Sequence, residues 1–293
     1  MNVKEASLIS YLVKVMDGRA EMPSHLLDEF ATLARKGLEK HFTRRKEDFR
    51  LRMSNVGKPL CQLQMQAKGV EPEKPSHDFI VRMMIGDLLE SLVITLLKGA
   101  NIEVKSHHKK VSLGMGDNKI EGEYDIELDD GIYDIKTVSP FAFTTKFNAD
   151  NGYDKIKASD SFGYVAQGHG YGMAANKPFK GWIAVNKTTG EIAFTEANYS
   201  DAEKKETYNK IYKTNVALLE KAPFKRCFTD VEEVYYKKPT GNRTLGIECS
   251  YCPYKHDCWK DIQFKKQLSS KGKNPKWVWY TKIDPKWLEE EVV

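Results

Sequence analysis

Residues 120–138, IEGEYDIELDDGIYDIKTV, constrain this chain more than any other stretch. They hold Asp130-Gly131, the strongest short-range signal for a two-residue type I′ turn, between two runs that alternate apolar and polar residues. Alternation of period two lets a strand bury one face and expose the other, so the stretch predicts a β-hairpin. With the turn at Asp130-Gly131, Asp129 faces Ile132, Glu127 faces Asp134 and Asp125 faces Lys136. Tyr124, Ile126, Leu128, Tyr133 and Ile135 then share one face, and Asp125, Glu127, Asp134 and Lys136 the other. Carboxylates gathered beside a lysine suit a hard divalent cation. The same pattern equally describes an amphipathic hairpin with a charged outer face and a cross-strand Asp–Lys pair.

Around the hairpin the chain reads as mixed α/β. Residues 1–50 carry apolar positions at helical spacing (Leu26, Leu27, Phe30, Leu33, Leu38). Pro72 and Pro75 mark a loop before a strong helix at 78–98, with Gly99 placed to cap it. On that helix Asp87, Glu90, Ser91, Thr95 and Lys98 share a face, which reads either as a solvent stripe or as a place for a ligating carboxylate. Strand-like segments follow at 102–111 and 120–138, then a glycine-rich stretch, a hairpin at 181–197 and a long polar helix at 201–222. The last seventy residues hold four of the five cysteines. The expected division is a helical region at 1–60, a core at 61–225, and a cysteine-bearing region with a basic, aromatic tail at 226–293.

A chain of 293 residues has room for one large domain or two ordinary ones. Its longest apolar stretch, 79–97, is interrupted by Arg82, Asp87 and Glu90, so no membrane span is expected. The N-terminus lacks the pattern of a secretory signal, which predicts a cytoplasmic protein, in the host cytoplasm if a phage encodes it. The net charge of +5 is compatible with a polyanionic partner. Two clusters sharpen this: Arg44, Arg45, Lys46, Arg50, Arg52 and Lys58, and Lys265, Lys266, Lys271, Lys273 and Lys276 ahead of Trp277, Trp279 and Tyr280. Cations interleaved with aromatic rings suit a nucleic acid strand, though each cluster alone also reads as a solvated face.

Gly122-x-x-Asp125 followed by Asp134-Ile135-Lys136 resembles the G-x-x-D…(D/E)-x-K core of the PD-(D/E)XK nuclease superfamily. Gly86-x-x-x-Glu90 is similar to the helix that carries a metal ligand in its RecB-like branch, with glutamate where histidine is commoner. Gln167-Gly-His-Gly-Tyr171 resembles that branch's Q-x-x-x-Y motif, although its glycines are poor helix formers and leave a loop reading open. The run Cys249-x2-Cys252-x5-Cys258 reads as a metal site, because disulfides are disfavoured in a reducing compartment. Its residues permit a structural zinc held by Cys249, Cys252, His256 and Cys258, with Cys227 as another candidate or else a buried thiol. The resemblance to CRISPR-associated and AddB-type exonucleases implies instead a 4Fe–4S cluster closed by the distant Cys61.

What the resemblance implies is a restriction-endonuclease-like core, with a central mixed sheet flanked by helices and a cysteine-rich C-terminal iron–sulfur region. Asp125, Asp134, Lys136, Gln167 and Tyr171 are the implied catalytic residues. Glu90, Asp125, Asp134 and the backbone carbonyl of Ile135 would hold Mg2+ or Mn2+. The expected activity is a DNA exonuclease preferring single-stranded or free-ended DNA. Asp134 stands where glutamate is commoner in the family. No G-x-x-x-x-G-K-S/T sequence occurs, so a helicase or recombination motor would be a partner on another chain; a homo-oligomer is also compatible. The competing expectation is a non-catalytic DNA-binding protein with structural zinc.

Overall fold

The hairpin predicted around residue 130 forms, in the middle of a five-stranded sheet. The computed structural model describes residues 2–43 and 48–288; Arg44, Arg45 and Lys46 of the first basic cluster lie outside them. In chain order the elements are α1 (Val3–Met16), α2 (Ser24–Phe42), α3 (Leu60–Ala67), α4 (His77–Gly99), β1 (Val104–Met115), β2 (Asn118–Leu128) and β3 (Gly131–Val138). Then come α5 (Pro140–Ala142), α6 (Gly152–Ala158), α7 (Tyr164–Ala175), β4 (Phe179–Asn186), β5 (Ile192–Glu196) and α8 (Asp201–Leu219). The chain ends with β6 (Val231–Tyr235), β7 (Lys238–Thr244), α9 (Ile247–Ser250), α10 (Lys255–Cys258), β8 (Gln263–Lys266) and β9 (Trp277–Lys282). They divide into two compact units, Met1–Gly57 with Pro75–Val216, and Lys58–Lys74 with Ala217–Val293.

In the first unit the strand order is β1-β2-β3-β4-β5, antiparallel except for the parallel pair β3–β4. A parallel pair needs a crossover, here residues 139–178 with α5, a π-helical turn at Phe143–Phe147, α6 and α7. β3 and β4 are buried along most of their length, as central strands covered on both faces are. One face packs Ile132, Phe179 and Trp182 with Tyr153 of α6 and Tyr171 of α7. The other packs Tyr133, Ile135 and Ile183 with Leu8 of α1, Leu33 of α2, and Val93, Ile94 and Leu97 of α4. The result is a mixed sheet flanked by helices. Among the described residues no helix is long and apolar enough to cross a membrane.

Three local expectations are corrected. The β2–β3 pairs are Leu128↔Gly131, Glu127↔Ile132 and Ile126↔Tyr133, so Asp129-Asp130 forms the turn and the register moves by two residues. The acidic turn is held by Lys4, whose Nζ lies 3.0 Å from Asp129 and 3.2 Å from Asp130. Gly131, at φ +147°, is needed for a different reason: a Cβ there would meet the Pro178 carbonyl at 2.4 Å, beside the bond from the Ile132 N–H to that oxygen. Second, Tyr124 packs in the core that holds Tyr171, whereas Ile126 and Leu128 pack in the α4 core. The change of facing coincides with His108, opposite Asp125 in β1, whose φ is +48°. Third, Gly99 is the last helical residue of α4, and Asn101 (φ +57°) takes the left-handed position after it; a Cβ on Gly99 would meet Tyr11 at 2.8 Å.

The glycines that argued against a helix at 164–175 are explained by what that helix packs on. A Cβ at Gly168 would meet the Phe179 ring at 2.3 Å, and one at Gly170 the Met53 sulfur at 2.3 Å. Gly163, at φ +79°, starts α7 against the backbone of Gly57, with 2.4 Å left for a Cβ.

The second unit is a four-stranded antiparallel sheet, β6-β7-β9-β8, with α3, α9 and α10. Among its described residues the buried apolar side chains are Leu63, Leu245, Cys249, Tyr254 and Tyr280. Much of its interior is polar: buried Glu233 accepts from Thr240 Oγ1 (2.8 Å), Asn242 Nδ2 (2.8 Å) and the Tyr280 hydroxyl (2.9 Å).

These contacts predict opposite outcomes for two glycine substitutions in helices. Gly168→Ala overpacks against Phe179 and is expected to lower stability by about 1–3 kcal/mol. At Gly86 of α4 no atom lies within 4 Å of an added Cβ, so Gly86→Ala is expected to raise stability by up to about 1 kcal/mol through helix propensity. Urea unfolding of the two variants measures both signs.

Candidate active site

The paired strands β2 and β3 stop pairing after Ile126↔Tyr133, and the next residues along each are Asp125 and Asp134. Parting strands leave backbone groups free at that level, and one is used at once: the Ile135 N–H donates to Asp125 Oδ2 at 2.7 Å. Asp134 is 1% exposed. Its Oδ2 lies 2.6 Å from Lys136 Nζ as an ion pair, yet neither carboxylate oxygen has a hydrogen-bond partner. The expected Asp125–Lys136 cross-strand pair is therefore replaced by Asp134–Lys136 along β3, with Asp125 opposite Asp134. Lys136 Nζ also lies 5.1 Å from the centre of the Tyr164 ring of α7, a cation–π contact.

Glu90 reaches this region from α4. Its Oε1 lies 2.5 Å from Nε2 of His108 on β1, and its charge is felt at Asp125. The α4 stripe is not a solvent stripe. Ser91 and Thr95 are buried, Asp87 pairs with Lys40 (2.7 Å) and His41 (2.5 Å), and Lys98 pairs with Glu29. Glu127, grouped by alternation with the acidic face, sits in a separate network with Lys177, Tyr124 (2.8 Å) and Ser106 (3.0 Å). Gln167 and Tyr171 stand one turn apart on α7, Nε2 3.5 Å from the hydroxyl. His169 between them points elsewhere, 3.1 Å from the Tyr153 hydroxyl, and burial pushes its pKa down to about 4.

His108 is the residue the sequence reading missed. The hairpin joining β1 and β2 closes with Met115↔Asn118 around Gly116-Asp117; counting back from that turn puts His108 opposite Asp125, so a signal was present.

Burial and the Glu90 charge push the Asp125 carboxyl up to about 6, against the opposing pull of Lys136, the Ile135 N–H and His108. Burial and Asp125 push Asp134 up to about 7, with Lys136 opposing. Burial alone would lower Lys136, but Asp134 and Asp125 outweigh it and raise its pKa. Burial likewise raises Tyr171, keeping it a phenol. As the side chains stand, no three His, Cys, Asp or Glu groups among the described residues close into a ready-made metal centre; Glu90 is turned to His108 and Asp134 to Lys136. A buried carboxylate with unsatisfied oxygens, Asp134, facing a second one, Asp125, is nevertheless a donor set that a hard cation takes.

The cysteines group within the second unit. Cys61 of α3, Cys249 of α9, and Cys252 and Cys258 line one recess with Pro59, Lys255 and Trp259. All five cysteines are free thiols. Cys227, expected to be buried, is exposed, and its sulfur accepts the Cys61 N–H at 3.2 Å. Burial pushes the Cys61 thiol up to about 12, with Cys227 and Cys258 adding to the rise. Cations stand close: Lys255 lines the recess, Arg226 donates to the Cys258 carbonyl at 3.0 Å, and Lys58 acts on Cys252. His256 is exposed and packs edge-on against Trp279 at 5.0 Å; it does not line the recess. Nearby, Phe264 of β8 stacks between Trp277 (5.1 Å) and Trp279 (4.6 Å) of β9, with Lys266 over Trp277.

The raised carboxylates have a consequence for stability in chelator-treated protein. A group whose folded pKa exceeds its unfolded one contributes stability that is present below the unfolded pKa and lost as pH rises through the folded value. For Asp125 and Asp134 that window runs from about 4 to about 7. Asp134→Asn removes this titration, so the stability of the variant relative to wild type should shift in the variant's favour by about 1–4 kcal/mol between about pH 4 and about pH 8. Thermal unfolding across that range measures it; a pH-independent difference would contradict the assignment of strain to Asp134.

No protein family matches the chain, and no curated protein does. Among solved structures, the crystal structure of SSO0001 is similar over 80% of this chain and 96% of that chain, at 15% sequence identity and a TM-score of 0.42, a likeness too loose to carry an argument.

Proposed function

We propose that this chain is a divalent-metal-dependent DNA exonuclease that hydrolyses phosphodiester bonds, acting on single-stranded or free-ended DNA. The observation that carries the reading is the buried Asp134 brought face to face with the half-buried Asp125, with the oxygens of Asp134 lacking hydrogen bonds. A buried carboxylate left in this state costs free energy that a structural role does not explain. Glu90, Asp125, Asp134 and the carbonyl of Ile135 would hold Mg2+ or Mn2+. Bound there, the cation supplies Lewis acidity to the scissile phosphate and acidity to a water.

The chain's own residues do the rest. Lys136, kept an ammonium by Asp134 and Asp125, stabilises charge developing on the phosphorane rather than taking the water's proton. Asp134 and the Tyr164 ring fix where that ammonium stands. Gln167 offers an amide and Tyr171 a phenolic O–H from one face of α7, suited to a phosphate oxygen or a base edge. Exposed Phe264 and Trp277 beside lysines offer a strand its stacking surfaces and counter-charge.

The second unit's recess fits a 4Fe–4S cluster: Cys61, Cys249, Cys252 and Cys258 would hold it, and Lys58, Lys255 and Arg226 would offset its negative charge. So held, a cluster would supply a covalent staple to a unit whose own apolar core is thin, with no part in hydrolysis.

Two measurements test the reading. With Mn2+ or Mg2+, the full chain is expected to degrade an end-labelled single strand, and Lys136→Ala or Asp125→Asn to slow this by on the order of 10^2–10^3-fold. Unchanged degradation by either variant rejects the catalytic assignment, and comparison of end-blocked with free-ended DNA separates exonuclease from endonuclease. Independently, protein purified without oxygen is expected to be brown and to absorb near about 400 nm, with the colour lost in Cys249→Ser. Colourless protein with stoichiometric zinc would replace the cluster by the zinc alternative and leave the hydrolytic reading standing.

A further inference from the structure

His108 occupies a conformation rare within a strand. Its φ of +48° lies in the left-handed region, which costs a residue with a Cβ roughly 1–2 kcal/mol. The bend leaves the β1–β2 register intact: the pairs on either side are His107↔Ile126 and Lys109↔Tyr124. What the bend achieves is a placement. It sends two consecutive imidazoles to two different helices, His107 to Glu29 of α2 at 3.0 Å and His108 to Glu90 of α4 at 2.5 Å. It also sets His108 directly opposite Asp125, where the facing of β2 changes.

Nε2 of His108 and Oε1 of Glu90 point their lone pairs at a common place, since at this separation they share a proton. Two donor atoms that converge on a proton are placed to converge on a cation, and metal binding commonly displaces such protons. The carboxylates whose charge reaches His108 are Glu90, Asp125 and Glu123; the first two belong to the donor set described above.

Resting on the hydrolytic reading, we propose that Nε2 of His108 is a direct ligand of the divalent cation alongside Glu90, Asp125 and Asp134, and that this nitrogen makes the site select Mn2+ over Mg2+. The selectivity follows from donor chemistry. Mg2+ takes oxygen ligands and keeps its waters, whereas imidazole nitrogen suits transition metals and binds Mn2+ at the weak end of that series but more readily than it binds Mg2+. A site of carboxylates alone would show no such bias. The Glu90–His108 contact would then be one pair of ligands joined by hydrogen when the cation is away, and the left-handed bend of β1 the means of bringing an imidazole to a cluster of acids.

The test uses the full chain, stripped by chelator and titrated with MnCl2 without DNA. Pulsed electron paramagnetic resonance of the bound Mn2+ is expected to show 14N modulation from a coordinated imidazole. That modulation should be present in wild type and in His107→Gln, and absent in His108→Gln. His108→Gln should weaken Mn2+ binding by roughly 10-fold or more and Mg2+ binding far less. Bound Mn2+ without nitrogen modulation in wild type overturns the proposal and leaves the hydrolytic reading intact, as does modulation that survives His108→Gln. If wild type binds no Mn2+ that Asp134→Asn removes, both readings fall. Because the deciding spectrum is that of the wild type, a His108 variant that failed to fold would not rescue the proposal.

Discussion

β3 is the strand on which the first unit depends, and it carries a carboxylate where water does not reach. It pairs on both sides, antiparallel to β2 and parallel to β4, and helices cover both its faces. A buried carboxylate in such a place costs several kcal/mol unless it is paired and hydrogen-bonded. Asp134 is only half provided for: Lys136 faces it, but its oxygens accept no hydrogen bond. Asp125 is the better satisfied of the two, through the Ile135 N–H. That bond is open to it because β2 and β3 have ceased to pair at this level. The divergence of the strands, the bend at His108 and the change of facing at Asp125 are therefore one event seen from three residues.

The second unit answers a different constraint. Among its described residues few apolar side chains are buried and a hydrogen-bonded glutamate sits at the centre, so little hydrophobic core is there to repay chain entropy. Small units of this kind are commonly held by a covalent or metal staple. Cysteines from α3 and from the α9–α10 region line one recess, where such a staple would join its two chain segments.

Much of this was legible because it is local. Alternation around residue 130 gave the hairpin, the apolar run gave α4, and the spacing of Gln167 and Tyr171 survives as one turn of α7. What was not legible was set by partners distant in sequence. The hairpin register slips by two because Gly131 is required by the Pro178 carbonyl, not by the turn. Since a two-residue slip preserves facing, Asp125, Asp134 and Lys136 still share a region although their pairing differs. Tyr124 changed cores at the level where His108, on a neighbouring strand, takes a left-handed backbone angle, a feature that no pattern within β2 encodes. Cys227 is exposed where cysteine's usual preference for burial suggested otherwise. The stripe on α4 could not be told from a solvent face until α2 was seen to supply His41, Lys40 and Glu29 to it.

The glycines of α7 tie the packing to the chemistry. Gly168, Gly170 and Gly172 each cost a helix about 1 kcal/mol relative to alanine, so α7 has little stability of its own and takes its form from what it lies on. It lies closely: the Phe179 ring and the Met53 sulfur occupy the space that Cβ atoms would fill. Phe179 begins β4, the strand paired to β3, and Met53 packs over Gly122 of β2. The two contacts that hold α7 are thus made to the neighbours of the strands bearing Asp125 and Asp134. The same helix carries Tyr164 to Lys136 and holds Gln167 and Tyr171 beside one another. A larger residue at those glycines would lift α7 from the sheet and carry these three side chains with it. The weak helix propensity is then a consequence of placing an amide, a phenol and an aromatic ring within reach of Asp125 and Asp134.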